Sequence, residues 1–269
     1  MRLEFTKMNG AGNDFVLLDN RDGRVHLNPS QIVRLCDRQR GVGADGLLIL
    51  IPCASGSADW AWAFYNSDGS TADMCGNGAR CFARFIQKIT GVQGAVSFET
   101  GAGVIRASFV GEAVSVSLTS PGAIRLSETV STSAGPLLVH SVNTGVPHAV
   151  VFVPHVDRIP VAQLGIELRG HSHFSPKGTN VNFVEVKEPS LIRVRTYERG
   201  VEAETLACGT GVTAAALIAS RVHGFSSPVK VLVQGGDVLE VRFDSRSGQF
   251  SDVCLSGPAD FTFSGIIEI

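Results

Sequence analysis

Two cysteines stand in the same setting, Cys-Gly-x-Gly at the mouth of an apolar run, one in each half of a 269-residue chain. The first reads Met74-Cys75-Gly76-Asn77-Gly78-Ala79-Arg80 and leads into Phe82, Phe85, Ile86 and Ile89; the second reads Ala207-Cys208-Gly209-Thr210-Gly211-Val212 and leads into Ala215, Ala216, Leu217 and Ala219. Both runs have helical spacing, which predicts each cysteine at a helix start. There the unpaired N–H groups and the helix dipole stabilise a thiolate and can hold a carboxylate at the same time. Two such sites facing one another would place an acid and a base on either side of an anionic substrate. That is the equipment for inverting a carbon that carries a proton beside a carboxylate.

Amide side chains gather near the same landmarks: Asn9 and Asn13 in Asn9-Gly10-Ala11-Gly12-Asn13-Asp14-Phe15, Asn66 before the first cysteine loop, and Asn180 and Asn182 before the second. Turn formation explains part of this set, and the rest suits a ligand with ammonium and carboxylate groups. Glu198-Arg199 offers one acceptor and one bidentate carboxylate fork, against the plainer reading of a surface ion pair. Cys36, Cys53, Cys81 and Cys254 read as small buried apolar residues.

Other motifs fail in context. Gly41-Val42-Gly43-Ala44-Asp45-Gly46 matches a dinucleotide fingerprint in letters, yet the strand-like Leu47 to Ile51 follows where a helix should begin. Gly209 to Ala214 opens a helix but lacks the tight turn from a strand. His171 and His173 have no further ligands near in sequence and read as an exposed pair.

The elements that must position the cysteines are short strands. In the first half they run from Leu3 to Met8, Val16 to Asp19, Leu47 to Ile51 and Trp60 to Asn66, with a helix at Ser30 to Asp37 signalled by Asn28-Pro29. After the cysteine helix come Ala95 to Thr100, Val104 to Val110 and Ala113 to Leu118. The second half repeats the plan with Leu137 to Val142, His148 to Val153, Val181 to Val186 and Ile192 to Tyr197, then helix 212–222, then Lys230 to Val233, Val238 to Phe243 and Val253 to Leu255. Helix 212–222 has little polar face, as expected of a helix enclosed on all sides. A sheet wrapped around a central helix, made twice, satisfies the pattern. The expected division is 1–120 with Cys75 and 121–258 with Cys208, meeting at Ser120-Pro121-Gly122; the last strand, within 259–269, could return to the first half.

Net charge is −2 and no block of like charges appears, so no nucleic-acid or membrane partner is expected. The N-terminus lacks the apolar core of a signal peptide and no apolar run reaches membrane-spanning length, which predicts a cytoplasmic protein. Its partner should be a small molecule, its assembly a homodimer, and its cysteines reduced.

Taken in order, the asparagine segments, Phe64-Tyr65-Asn66-Ser67-Asp68-Gly69, the two cysteine motifs and Tyr197-Glu198-Arg199-Gly200 resemble the diaminopimelate epimerases over nearly the full length. The resemblance implies an α+β fold of two pseudo-symmetric domains, each a mostly antiparallel β-barrel around a central helix, closing over the substrate. It implies interconversion of LL- and meso-diaminopimelate, for lysine and peptidoglycan synthesis, without pyridoxal or any other cofactor or metal. By matching position Cys75 and Cys208 would be acid and base, and Gly76, Asn77, Gly209 and Thr210 would bind the reacting carboxylate through helix N-terminal amides. Asn13, Asn66, Asn180 and Arg199 would hold the rest of the substrate, while His148 and Glu198 would tune the cysteines and contact the amino group.

Three departures from the family pattern touch substrate contacts: Val146 precedes Pro147-His148 where an asparagine is common, so that contact is lost or supplied by a neighbour such as Asn143; Gly46 lies where some relatives place a glutamine; and the 200–207 loop is one residue longer than in some relatives. Asn77, where proline racemases carry histidine, argues against that nearest rival. A binding protein with a cysteine redox switch is the rival from another class.

Overall fold

The computed structural model describes residues 1–246 and 248–269. The chain divides into two units, Met1–Val116 with Gly257–Ile269, and Ser117–Ser256.

The first unit begins with a hairpin of β1 (Arg2–Gly10) and β2 (Asn13–Asp19), closed by Ala11-Gly12 with φ of 59° and 86°. Two successive positive φ values match the right-handed twist of the strands, and the Asn9 side chain accepts from Gly12 N–H at 2.7 Å to hold the turn. Helix α1 (Pro29–Cys36), started by an Asn28–Gln31 capping box, carries the chain to β3 (Gly46–Ile51), parallel to β2. β4 (Trp60–Asn66) returns antiparallel, and α2 (Gly76–Thr90) crosses to β5 (Val96–Thr100), parallel to β4. β6 (Gly103–Val110) and β7 (Ala113–Ser117) follow as antiparallel neighbours, and the C-terminal strand Asp260–Glu268 pairs antiparallel with β1.

Strands β1, β2, β3, β5 and β6 pack against α2. Its Ala79, Cys81, Phe82, Phe85 and Ile86 are buried against them. Removing Phe82 and Ile86 from water contributes on the order of 1.5–3 kcal/mol each. The first turn of α2 lies directly on β1, since a Cβ at Gly10 would stand 2.8 Å from the Asn77 carbonyl. Only glycine leaves room there.

The second unit repeats this order. β8 (Arg125–Thr132), β9 (Gly135–Asn143) and β10 (Pro147–Phe152) are antiparallel neighbours; α3 (Val161–Arg169) leads to β11 (Asn180–Glu188), parallel to β10. β12 (Leu191–Glu198) and the short β13 (Ala203–Thr205) precede α4 (Gly209–His223), which crosses to β14 (Val229–Leu232), parallel to β12. β15 (Val238–Arg246) and β16 (Gln249–Gly257) close the unit as an antiparallel pair. β9, β10, β11, β12, β14 and β15 surround α4. In both units parallel pairs occur where a helix intervenes and antiparallel pairs where a turn does, because parallel strands need a long crossover.

α2 and α4 are each 15 residues long, begin at a cysteine and end on a left-handed glycine, Gly91 (φ 73°) and Gly224 (φ 71°). The α+β architecture of sheets wrapped around a helix is the one the sequence predicts. Three elements go beyond that reading. β8 exposes most of its residues and buries Val130 alone, so it has no alternating pattern to detect. α3 contains Gly165, a poor helix former. Its place is set by packing, since a Cβ there would lie 2.4 Å from the Tyr197 Cβ. The brief β13 forms only by pairing with β12. The final strand, β17 (Asp260–Glu268), pairs with β1 and so joins the first unit.

Candidate active site

In the first unit Cys75 is the N-cap of α2, with an extended backbone (φ −145°) and its Sγ accepting from Gly78 N–H at 3.5 Å. Asn13, at the start of β2, takes the Cys75 thiol hydrogen on Oδ1 at 3.4 Å. Its amide nitrogen donates to Asp45 at 2.6 Å. Asn77 is buried, and its side-chain oxygen accepts from Arg80 at 2.9 Å. Its side-chain oxygen is therefore engaged within the first turn of α2. Asn66 ends β4 on the exposed surface, where its Nδ2 donates to Ser70 Oγ at 3.0 Å and closes the loop.

Arg80 carries a role that the sequence reading did not assign. Its side chain is fully buried, and it donates to the carbonyls of Gly76 (3.3 Å) and Pro258 (3.2 Å) as well as to Asn77. A guanidinium thus braces the first turn of α2 from beneath. The signal available in sequence was a cation placed among Ala79, Cys81 and Phe82 on an apolar helix.

A charge network stands beside Asn13. Lys7, buried on β1, pairs with Asp14 at 2.7 Å and donates to the Gly43 carbonyl; Arg38 holds Asp14 through two contacts, 3.0 and 2.9 Å, and Asp45 at 2.8 Å. Burial alone would raise the Asp14 carboxyl, but the hydrogen bonds from Arg38 and Lys7 outweigh it and hold it at about 2. The glycines of the 41–46 loop have packing reasons: a Cβ at Gly41 would overlap the Arg34 carbonyl, and one at Gly46 would stand 2.8 Å from the Tyr65 carbonyl. A side chain at position 46 would require the Tyr65 carbonyl to shift, so glycine there goes with the close approach of β4.

In the second unit Cys208 is the N-cap of α4, and its Sγ lies 3.6 Å from Thr210 Oγ1. Thr144 and Thr213 hold the turn by donating to the carbonyls of Thr210 (2.8 Å) and Gly209 (2.9 Å). Gly211 is tightly enclosed, since a Cβ would come within 2.3 Å of Asn182 Oδ1. Asn182 is itself fixed by three contacts: it donates to the Ala149 carbonyl at 2.9 Å, accepts from Thr196 at 2.9 Å, and has Nδ2 at 3.2 Å from His148 Nδ1.

His148 is buried among these amides, with Asn180 Nδ2 3.5 Å from its other ring nitrogen. Burial, with the Arg199 charge adding, pushes it down to about 3, so the ring is neutral at physiological pH. Asn180 accepts from the Arg199 backbone N–H at 2.7 Å, and the Arg199 guanidinium donates to the Lys177 carbonyl at 2.8 Å. Glu198, at the end of β12, accepts from Thr205 at 3.0 Å. The 200–207 segment contains the β12–β13 turn and β13 itself, and Glu202 in that turn takes two contacts from Arg169. Asn143, the neighbour expected to cover for Val146, is exposed, with its oxygen accepting from Gly145 N–H at 2.9 Å.

The remaining cysteines differ among themselves. Burial pushes the Cys36 thiol up to about 11 and the Cys81 thiol up to about 12; it also raises Cys254, which is half-buried on β16 rather than buried as expected. Cys53 corrects the expectation of an apolar buried residue. It is half-buried in a polar cluster 3.3 Å from both Ser55 and Glu99, and the Ser55 hydroxyl lowers it. The loop after β3 lacks the apolar neighbours that a strand interior would supply. His171 accepts from the His173 backbone N–H at 3.1 Å, and the His173 ring stands 3.3 Å from Glu128.

Solved structures share this architecture. A phenazine biosynthesis protein of the PhzF family from Bacillus anthracis superposes with a TM-score of 0.76 at 14% identity, covering all of both chains. A hydroxyproline epimerase from Agrobacterium vitis gives 0.72 at 16% identity, over 99% of this chain and 92% of that one. At such identity the likeness is one of fold. Sequence similarity goes further: the chain is 43% identical to the diaminopimelate epimerase of Aquifex aeolicus, over 98% of this chain and 97% of that protein. It is 40% identical to that of Chlorobaculum tepidum, over 97% and 100%. The family model described as diaminopimelate epimerase matches residues 5–123 and 140–252. With the cysteine-capped helices and their enclosing strands matched across nearly the whole length, the chain belongs to the diaminopimelate epimerase family.

Proposed function

We propose that this protein interconverts LL- and meso-2,6-diaminopimelate by a two-base mechanism in which Cys75 and Cys208 carry the proton and no cofactor takes part. The observation that supports it is the duplication: each unit presents one cysteine as the N-cap of a 15-residue helix whose flanking glycines admit a close ligand. One thiolate takes the α-proton, leaving its electron pair on the carbon and carboxylate; the other thiol delivers a proton to the opposite face. The second cysteine is then the thiolate, and the roles exchange when the reaction runs backwards.

The α-proton is held far more tightly than a thiol proton, so the carboxylate's developing charge must be stabilised. Main-chain N–H groups of Gly76-Asn77 and Gly209-Thr210, at the positive ends of α2 and α4, are suited to that task. Arg199 supplies a fork for the distal carboxylate, with Asn13, Asn66 and Asn180 as further polar contacts and Glu198 as an acceptor for ammonium. The His148 ring acts on these groups as a neutral hydrogen-bonding partner.

Among the described residues no helix is long and apolar enough to cross a membrane. We place the protein in the cytoplasm as a homodimer. Phe261 and Phe263, exposed on β17, give a second copy an apolar strand to cover, and sedimentation reads the assembly directly.

The deciding experiment is incubation with LL-diaminopimelate in deuterated water. Label must enter the α-carbon as the meso form appears. Unlabelled product, or none, refutes the reading.

A further inference from the structure

The 41–46 loop resembles a nucleotide motif in letters, yet its one side chain equipped for chemistry, Asp45, turns toward Asn13. Both oxygens of the Asp45 carboxylate are engaged: Oδ1 accepts from Arg38 at 2.8 Å, and Oδ2 accepts from the Asn13 amide at 2.6 Å and from Asp14 N–H at 3.3 Å. A carboxylate accepts and cannot donate. It therefore selects the NH2 end of the Asn13 side chain, which turns the amide oxygen to Cys75 Sγ, 3.4 Å away, as acceptor of the thiol hydrogen. With the amide reversed, Cys75 would face two N–H donors instead. An acceptor favours the thiol and a donor favours the thiolate.

We infer that Asp45 is a positioning residue that fixes the orientation of the Asn13 amide and thereby keeps Cys75 protonated as the resting acid. Arg38 and the Lys7–Asp14 pair hold Asp45 in turn, and its own N–H donates to the Asp14 backbone carbonyl at 3.0 Å. Among the described residues, the titratable and charged groups of this unit around the cluster include Lys7 on β1, Asp14 on β2, Cys36 and Arg38 at and after the end of α1, Asp45 before β3, Arg80 and Cys81 on α2, and Asp260 on β17. The inference rests on Cys75 being a proton carrier. Its test reads thiol titration, which requires no turnover, so its failure and that of the epimerase reading are separable.

The experiment follows iodoacetamide alkylation of the full-length protein against pH, quantified at the Cys75 peptide by mass spectrometry. Asp45→Asn, which can present either end of its own amide, should lower the pH midpoint of Cys75 alkylation by roughly half to one unit. Asp45→Glu, which restores the acceptor, should return it toward the native value. The same comparison in an Asn13→Ala background separates positioning from through-space charge. With no amide to orient, Asp45→Asn should leave the midpoint unmoved. An equal shift in both backgrounds, or no shift in the native one, overturns the inference. Asp45 is 44% exposed, and Asp45→Ala offers a second neutral variant with the same expected readings if the first fails to fold.

Discussion

Mild acid should loosen the second unit through one buried ring. His148 titrates near 6.5 when exposed and is held at about 3 in the fold, chiefly by burial. Between those values the unfolded chain binds a proton that the folded chain refuses. Stability from this group is therefore complete above about pH 6.5 and declines as pH falls toward 3. Linkage with those two values gives a loss of about 1.4 kcal/mol at pH 5.5 and about 2.7 kcal/mol at pH 4.5. His140, lowered by burial and by His223, contributes in the same direction, so the native protein must be compared with His148→Gln. Amide hydrogen exchange followed by mass spectrometry suits a chain of two units, since β10 and β11 report on the second and β4 serves as a control in the first. Protection in β10 and β11 should weaken between pH 7.5 and 5 in the native protein and weaken less in His148→Gln. Equal pH slopes in the two proteins would show that the ring is not excluded from protonation by the fold, and the account of a neutral His148 would be wrong.

Other consequences are more direct. Cys75→Ala and Cys208→Ala should each abolish epimerisation while circular dichroism stays native, because each removes one of two obligatory proton carriers; near-normal turnover in either contradicts the two-base reading. Gly211→Ala should destabilise by roughly 1–3 kcal/mol, since its Cβ would meet an Asn182 oxygen that three contacts hold in place, whereas Gly78→Ala, facing the Phe15 ring at 3.3 Å, should cost less; thermal melting ranks them. If Arg199 forks the distal carboxylate, Arg199→Lys should raise the KM for diaminopimelate about ten- to a hundredfold, the loss of one charge-assisted pair. A shorter amino acid should be processed slowly by the native protein and be indifferent to that change, and rapid turnover of such a compound would refute the substrate assignment.

Much of the fold is legible in the chain because its signals are local. Alternation in Trp60 to Asn66 marks β4, Asn28-Pro29 marks the start of α1, and a Cys-Gly-x-Gly before an apolar run marks the first turns of α2 and α4, each capped beyond its end by a glycine. These depend on dihedral preferences and on a few neighbouring residues. The pairing of β17 with β1 joins opposite ends of the chain and leaves no local trace. β8 and α3 form for the same kind of reason, one as a mostly exposed neighbour of β9, the other through a glycine that fits against Tyr197. At the candidate site the sequence supplies the types of group, two thiols, several amides and an arginine. Their states depend on surroundings that only tertiary structure assembles: burial keeps His148 neutral, Arg80 occupies the Asn77 side chain, and Asp45 decides which end of Asn13 meets Cys75. Protonation and amide orientation follow from what lies within a few ångströms in space, and those neighbours come from distant parts of the chain.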